Sequence, residues 1–125
     1  MTTVTDHGID WYQDRAIDVA GGRIDEIVVG SGEDSEDEGA TELADEEYRA
    51  DYESNNVEFD RTDDGRIEAT ITVQGGTEVP ADTEIREMLI EVSEETVVVA
   101  IDNFDAVLVE SGHTEEFTMP VQLER

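Results

Sequence analysis

The sequence predicts a mainly β protein: an antiparallel β-sandwich or barrel, with a short N-terminal helix and one short helix after the first strand. Three observations predict it. From Val57 onward the chain is a succession of apolar, β-branched runs separated by short turns, the density expected of an antiparallel sandwich or barrel. The run "RIEATITV" alternates Ile67, Ala69, Ile71 and Val73 with Arg66, Glu68, Thr70 and Thr72, the period-two pattern of a half-buried strand. Just before it, Asp63 to Gly65 read "DDG", a hairpin signal that folds this strand back onto Val57 to Thr62.

The elements follow in order. Thr5-Asp6 have the chemistry of a helix N-cap, and Ile9, Trp11, Tyr12, Ile17 and Val19 are the apolar members of the short helix after it. Gly21-Gly22 ends that helix. Ile24, Ile27, Val28 and Val29 make a strand that stops at Gly30-Ser31-Gly32. Glu33 to Glu38 has no apolar member and reads as a loop. Thr41 caps a second helix over Glu42 to Ala50, which carries Leu43 and ends with Tyr48-Arg49. Beyond the hairpin, "GGTEVPAD" is a turn, followed by the strands "TEIREMLIEV", "TVVVAI", "AVLVE" and "TEEFTMPVQLE". Turns are expected at Glu94-Glu95, Asn103 to Asp105 and Ser111-Gly112. Pro120, which has no N–H to donate, marks the last run as an edge or bulged strand. The pattern divides the chain into an N-terminal arm, residues 1–50, and an antiparallel β-domain, residues 51–125.

The charge is extreme. There are 35 Asp and Glu against seven Arg and no Lys, a net charge of −28. At molar salt the Debye length falls to about 3 Å, so surface carboxylates hardly repel one another. An acidic, Lys-free surface therefore fits a salt-saturated cytoplasm. Such acidity disfavours binding to nucleic acid or anionic lipid, which need basic partners. No apolar run approaches the roughly 20 residues that cross a bilayer, so no membrane insertion is expected. The first residues carry no basic, apolar signal pattern. Without Cys there is no disulfide frame, thiolate metal site or Cys nucleophile.

Candidate chemistry is sparse. The acid block threads on a calcium loop with Asp34, Glu36 and Glu38 at positions one, three and five, Gly39 at six and Asp45 at twelve. Positions three and five favour short side chains and position twelve a bidentate Glu, so no metal site is expected there. His7 and His113 lie at opposite ends of the chain without neighbouring ligands. "GSGEDSEDEG" has glycines but no Lys, and repels a phosphate. No Gly-x-Ser-x-Gly elbow is present. The expectation is a protein that is not an enzyme and needs no cofactor. Arg49 is a cation where cations are scarce, so a dedicated carboxylate partner is expected for it. Tyr48 is expected to pack on the strand Ile24 to Val29.

The order of these features resembles tail proteins of tailed viruses, in the group of tail-collar and fibre-attachment proteins. The likeness runs through Ile24, Ile27, Val29, Gly30 and Gly32, then Thr41, Leu43, Glu46 and Tyr48-Arg49. It continues through Gly75-Gly76, Ile85, Glu87 and Val109 to Gly112, and covers most of the chain from Trp11 to Leu123. The strand after Glu87 departs from it, reading Met-Leu-Ile in place of an aromatic-glycine-Leu pattern. The resemblance implies a virion structural protein of the tail or baseplate, an adaptor between the tail tip and a fibre or neighbouring baseplate subunits. With the salt-adapted composition it implies a virus of a halophilic archaeon. Other tail or baseplate proteins would be its partners, and a homotrimer or homohexamer its assembly. The assembly candidates are Trp11, Tyr12, Gly30, Gly32, Tyr48, Arg49 and Glu87. Two alternatives stay open: an acidic mimic of nucleic acid, and a small halophilic ligand-binding β-domain.

Overall fold

The computed structural model describes residues 3–8, 26–33, 39–61, 67–92 and 97–121. They form a β-sandwich of two antiparallel sheets rather than a closed barrel. In chain order the strands are β1 (Thr3–Val4), β2 (Glu26–Gly30), β3 (Glu46–Asp51), β4 (Val57–Arg61), β5 (Ile67–Gln74), β6 (Thr83–Val92), β7 (Val97–Val109) and β8 (Thr114–Val121). The larger sheet has the order β1-β7-β6-β2-β3 and the smaller β4-β5-β8.

The hairpin read from the alternating run is present. Val57 pairs with Ile71 and Arg61 with Ile67. Ala69, Ile71 and Val73 are fully buried on the inner face of β5. They meet Ile27, Val29, Met88 and Ile90 of the larger sheet, with Phe117 and Met119 of β8, in the main core. Each Val, Ile, Met or Phe side chain among them contributes about 1.5–3 kcal/mol by leaving water. The edge reading of Pro120 also holds: among the described residues β8 pairs only with β5, where Pro120 faces Glu68. The turn at Ser111-Gly112 is confirmed, with Gly112 at φ 78°.

Four expectations change. Residues 46–51 are strand β3, not the end of a helix. Glu- and Ala-rich sequence favours helix only weakly, and pairing with β2 overrides it. Tyr48 and Ala50 alternate inward while Arg49 and Asp51 point out, a period of two. The expected turn at Asn103 to Asp105 is a bulge inside one long strand. Asn103 pairs with Glu87 and Val107 with Ile85, so β7 spends three residues where β6 spends one. The first fifty residues supply strands to the sandwich instead of standing apart as an arm. β2 lies between β6 and β3, with all five of its residues buried. Strand β1, not foreseen, pairs Thr3 with Ile101 and Val4 with Ala100.

The expected N-terminal helix begins where the sequence places its cap. Residues 6–8 are helical, and the Gly8 N–H donates to Thr5 Oγ1 at 3.0 Å, the bond of an N-cap. The Thr5 hydroxyl itself donates to the Val98 carbonyl. The remainder of that helix, with Trp11 and Tyr12, lies outside the described residues, as does the acid block at 34–38. On the face of the larger sheet away from the main core, Val28, Leu43, Leu89, Val98 and Ile101 form a second buried cluster. Burial on both faces explains why β2 reads as an unbroken apolar run.

Candidate functional site

The larger sheet brings three of the sequence candidates, Gly30, Gly32 and Glu87, to one point. In register, Gly30 of β2 faces Glu87 of β6, which faces Asn103 of β7. Glu87 has no exposed surface. Its Oε2 accepts the Gly32 N–H at 2.7 Å and the Asp45 N–H at 2.8 Å, and its Oε1 accepts the Ala44 N–H at 2.9 Å. A buried carboxylate is tolerable only when its oxygens are bonded in this way. The bonds draw together both ends of the loop between β2 and β3. The Ser31 N–H donates to the Asp45 carbonyl at 2.9 Å. The Ser31 hydroxyl is 3.1 Å from Asp45 Oδ2 and 2.8 Å from Glu47 Oε1.

The two glycines are required by space. A Cβ on Gly30 would sit 2.5 Å from Glu87 Oε2 and 2.4 Å from the Asp45 carbonyl oxygen. One on Gly32 would sit 2.7 Å from the same Oε2 and 2.5 Å from the Ala44 Cβ. "GSG" is therefore the seat of an internal carboxylate.

Arg49 has three carboxylate partners. Its Nε and Nη2 donate to Glu46 at 3.1 and 2.8 Å, and its Nη1 reaches Glu26 and Glu91. Glu91 and Glu26 expose only 6% and 12% of their side chains, whereas Arg49 exposes 42%, so the buried pair relies on this guanidinium. Hydrogen bonds from Arg49 hold the Glu46 carboxyl below its ordinary value. Burial pushes the Glu91 carboxyl up against the pull of Arg49, with the neighbouring Glu26 adding to the rise. The Glu46 bond, followed by those to Glu91 and Glu26, raises Arg49 further, opposed by burial. Tyr48 pairs with Val29, packs on the main core and accepts a 3.2 Å hydrogen bond from Asn56 Nδ2. The expected partners of Tyr48 and Arg49 are thus present, on a strand.

Sequence reading singled out neither Glu26 nor Glu91. Glu91 interrupts the apolar run of "MLIEV" and Glu26 opens that of "EIVV", and an acid at such a place signals a buried pair. Asp45, the twelfth position of the threaded calcium loop, is engaged with Ser31. Among the described residues no group of three or more His, Cys, Asp or Glu is arranged to hold a metal ion. His7 and His113 are both exposed.

Beside the Glu87 clamp the bulge of β7 opens a groove of about 360 Å³, lined by Gly32, Glu33, Arg86, Asn103, Phe104, Asp105 and Ala106. Arg86 bonds to Glu84, lies 3.5 Å from Glu33 Oε1 and reaches the Ser31 carbonyl at 3.4 Å. Comparison with protein-family models, curated proteins and solved structures finds no match for this chain.

Proposed function

We propose that this protein is a non-enzymatic structural protein of a virion, sited in the tail or baseplate, and that it serves as an adaptor between the tail tip and a fibre or neighbouring baseplate subunits. One observation supports the structural half of this reading: of the residues singled out by sequence, those the structure describes, Gly30, Gly32, Tyr48, Arg49 and Glu87, are committed to holding the sandwich together. Glu87 fastens the ends of a loop. Arg49 ties the edge strand β3 to β2 and β6. Gly30 and Gly32 make room for Glu87. The tail or baseplate setting rests on the sequence resemblance, and the halophilic host on the charge of −28 without Lys.

An adaptor of this size works through surfaces and repetition. A homotrimer or homohexamer is the assembly proposed, because closed symmetry is the usual arrangement of repeated subunits. The test is electron microscopy of virions from a high-salt host, using a gold-labelled antibody against this chain. Label at one end of the tail is the expected result. Its absence from purified virions, with the protein found only in the infected cell, would end the proposal.

A further inference from the structure

We propose that the groove beside the β7 bulge binds a neutral polyhydroxylated ring, that is, a sugar unit. Three independent features meet there. The first is the bulge, which gives up ladder hydrogen bonds and re-aims Phe104, Asp105 and Ala106. The second is the wall opposite: Gly32 is pinned by Glu87, so that side of the groove is held rigidly. The third is Arg86, whose side chain is 31% exposed and which forms part of the lining.

The chemistry of the lining selects the ligand. Phe104 is half-buried, its ring tilted against Phe117 with centroids 5.7 Å apart and packed on the main core, so it offers a fixed apolar surface. Asp105 and Glu33 are exposed acceptors. A guanidinium has five N–H groups, and the contacts of Arg86 to Glu84, Glu33 and Ser31 use three of them. Paired acceptors and donors around an apolar patch match vicinal hydroxyls on a ring with an apolar face. An anion is disfavoured, because Arg86, the cation among the described lining residues, is already engaged by Glu33 and Glu84, and Asp105 adds negative charge to the lining. A cation finds Glu33 and Glu84 already engaged by Arg86. A neutral polyol meets neither penalty, and its hydrogen bonds, unlike ion pairing, survive molar salt. The inference rests on the groove alone and is independent of the viral reading.

The experiment is NMR and calorimetric titration of the full chain in ~2 M KCl. The probes are methyl glycosides of glucose, galactose and mannose, their trisaccharides, and sialic acid and glucosamine as charged controls. Expected is saturable, roughly millimolar binding of at least one neutral sugar. Amide shifts should centre on Gly32, Asn103, Asp105 and Ala106. Asp105→Ala, at an exposed side chain, should weaken binding about tenfold. Leu108→Ala, on the same strand but outside the groove, should leave it unchanged. No saturable binding by any neutral sugar, equal affinity in Asp105→Ala, or preference for a charged control would each overturn the proposal.

Discussion

Both oxygens of Glu87 hold backbone amides: Oε2 serves Gly32 and Asp45, and Oε1 serves Ala44. Glu87→Gln replaces one oxygen with an NH₂ group that faces backbone N–H groups, leaving at least one buried donor unmatched. The expected cost is about 2–3 kcal/mol. Chemical denaturation in molar KCl measures it, and unchanged stability would mean that the loop amides are held by something else. Glu91 leads to a pH dependence. Its folded pKa is raised from the ordinary 4.5 by burial, so its charged form opposes folding above that raised value. As pH falls from 7 toward 4.5 the penalty is relieved and stability rises. Glu46 acts in the other sense: its pKa is lowered, so its contribution is present above 4.5 and is lost as pH falls further. Glu91→Gln should therefore match or exceed the wild type in melting temperature at pH 7, with the gap narrowing toward pH 5. A variant whose deficit is the same at every pH would contradict this assignment.

Among the elements, β3 best separates what was legible in the sequence from what was not. The packing of Tyr48 on β2 and the need of Arg49 for a carboxylate partner could be read from residue types. Its conformation could not, because short Glu- and Ala-containing segments suit helix and edge strand almost equally, and the deciding pairs, Tyr48 with Val29 and Ala50 with Ile27, are long-range. The β4–β5 hairpin was legible because its partners are close in sequence and its turn is marked. The bulge in β7 was hidden for a different reason: Asn-Phe-Asp resembles a turn locally, and only the ladder with β6 shows that the strand continues. In the clamp, Gly30, Gly32 and Glu87 were each picked out, but no spacing rule links a glycine pair to a Glu on another strand. The strand character of residues 46–51 predicts hydrogen-exchange behaviour. In an antiparallel edge strand alternate amides face the neighbour and the rest face water. Alternating protection is expected along Glu46 to Asp51, whereas continuous protection would indicate a helix.

At the scale of the molecule, charge and fold pull against each other. A net charge of −28 on 125 residues repels itself strongly when unscreened. The described edge strands β3, β4 and β8 also carry acids, including Glu46, Glu58 and Glu116, which discourages edge-to-edge pairing. Lowering KCl from ~2 M to ~0.1 M lengthens the Debye length severalfold and should lower the melting temperature, with unfolding or loss of assembly below roughly 0.5 M. Circular dichroism across the salt series tests this, and a melting temperature independent of KCl would refute it.

The place of β2 in the larger sheet has a kinetic consequence. Val28 pairs with Leu89, and Thr5 bonds to Val98 across a sequence separation of 93. A chain emerging from the ribosome exposes the whole apolar run of β2 well before β6 exists to receive it, and β1 waits longer still for β7. Loop closure over such distances must precede any gain from the contacts, which places folding on the scale of about milliseconds to seconds. During that interval the β2–β3, β4–β5 and β6–β7 pairs can form from consecutive strands, but the side of β2 that receives β6 stays bare. The carboxylates that flank β2 on the nascent chain then have a second use: burying them unpaired is costly even in molar salt, so they keep one unfinished copy from adhering to the next until the fifth strand of the sheet is in place.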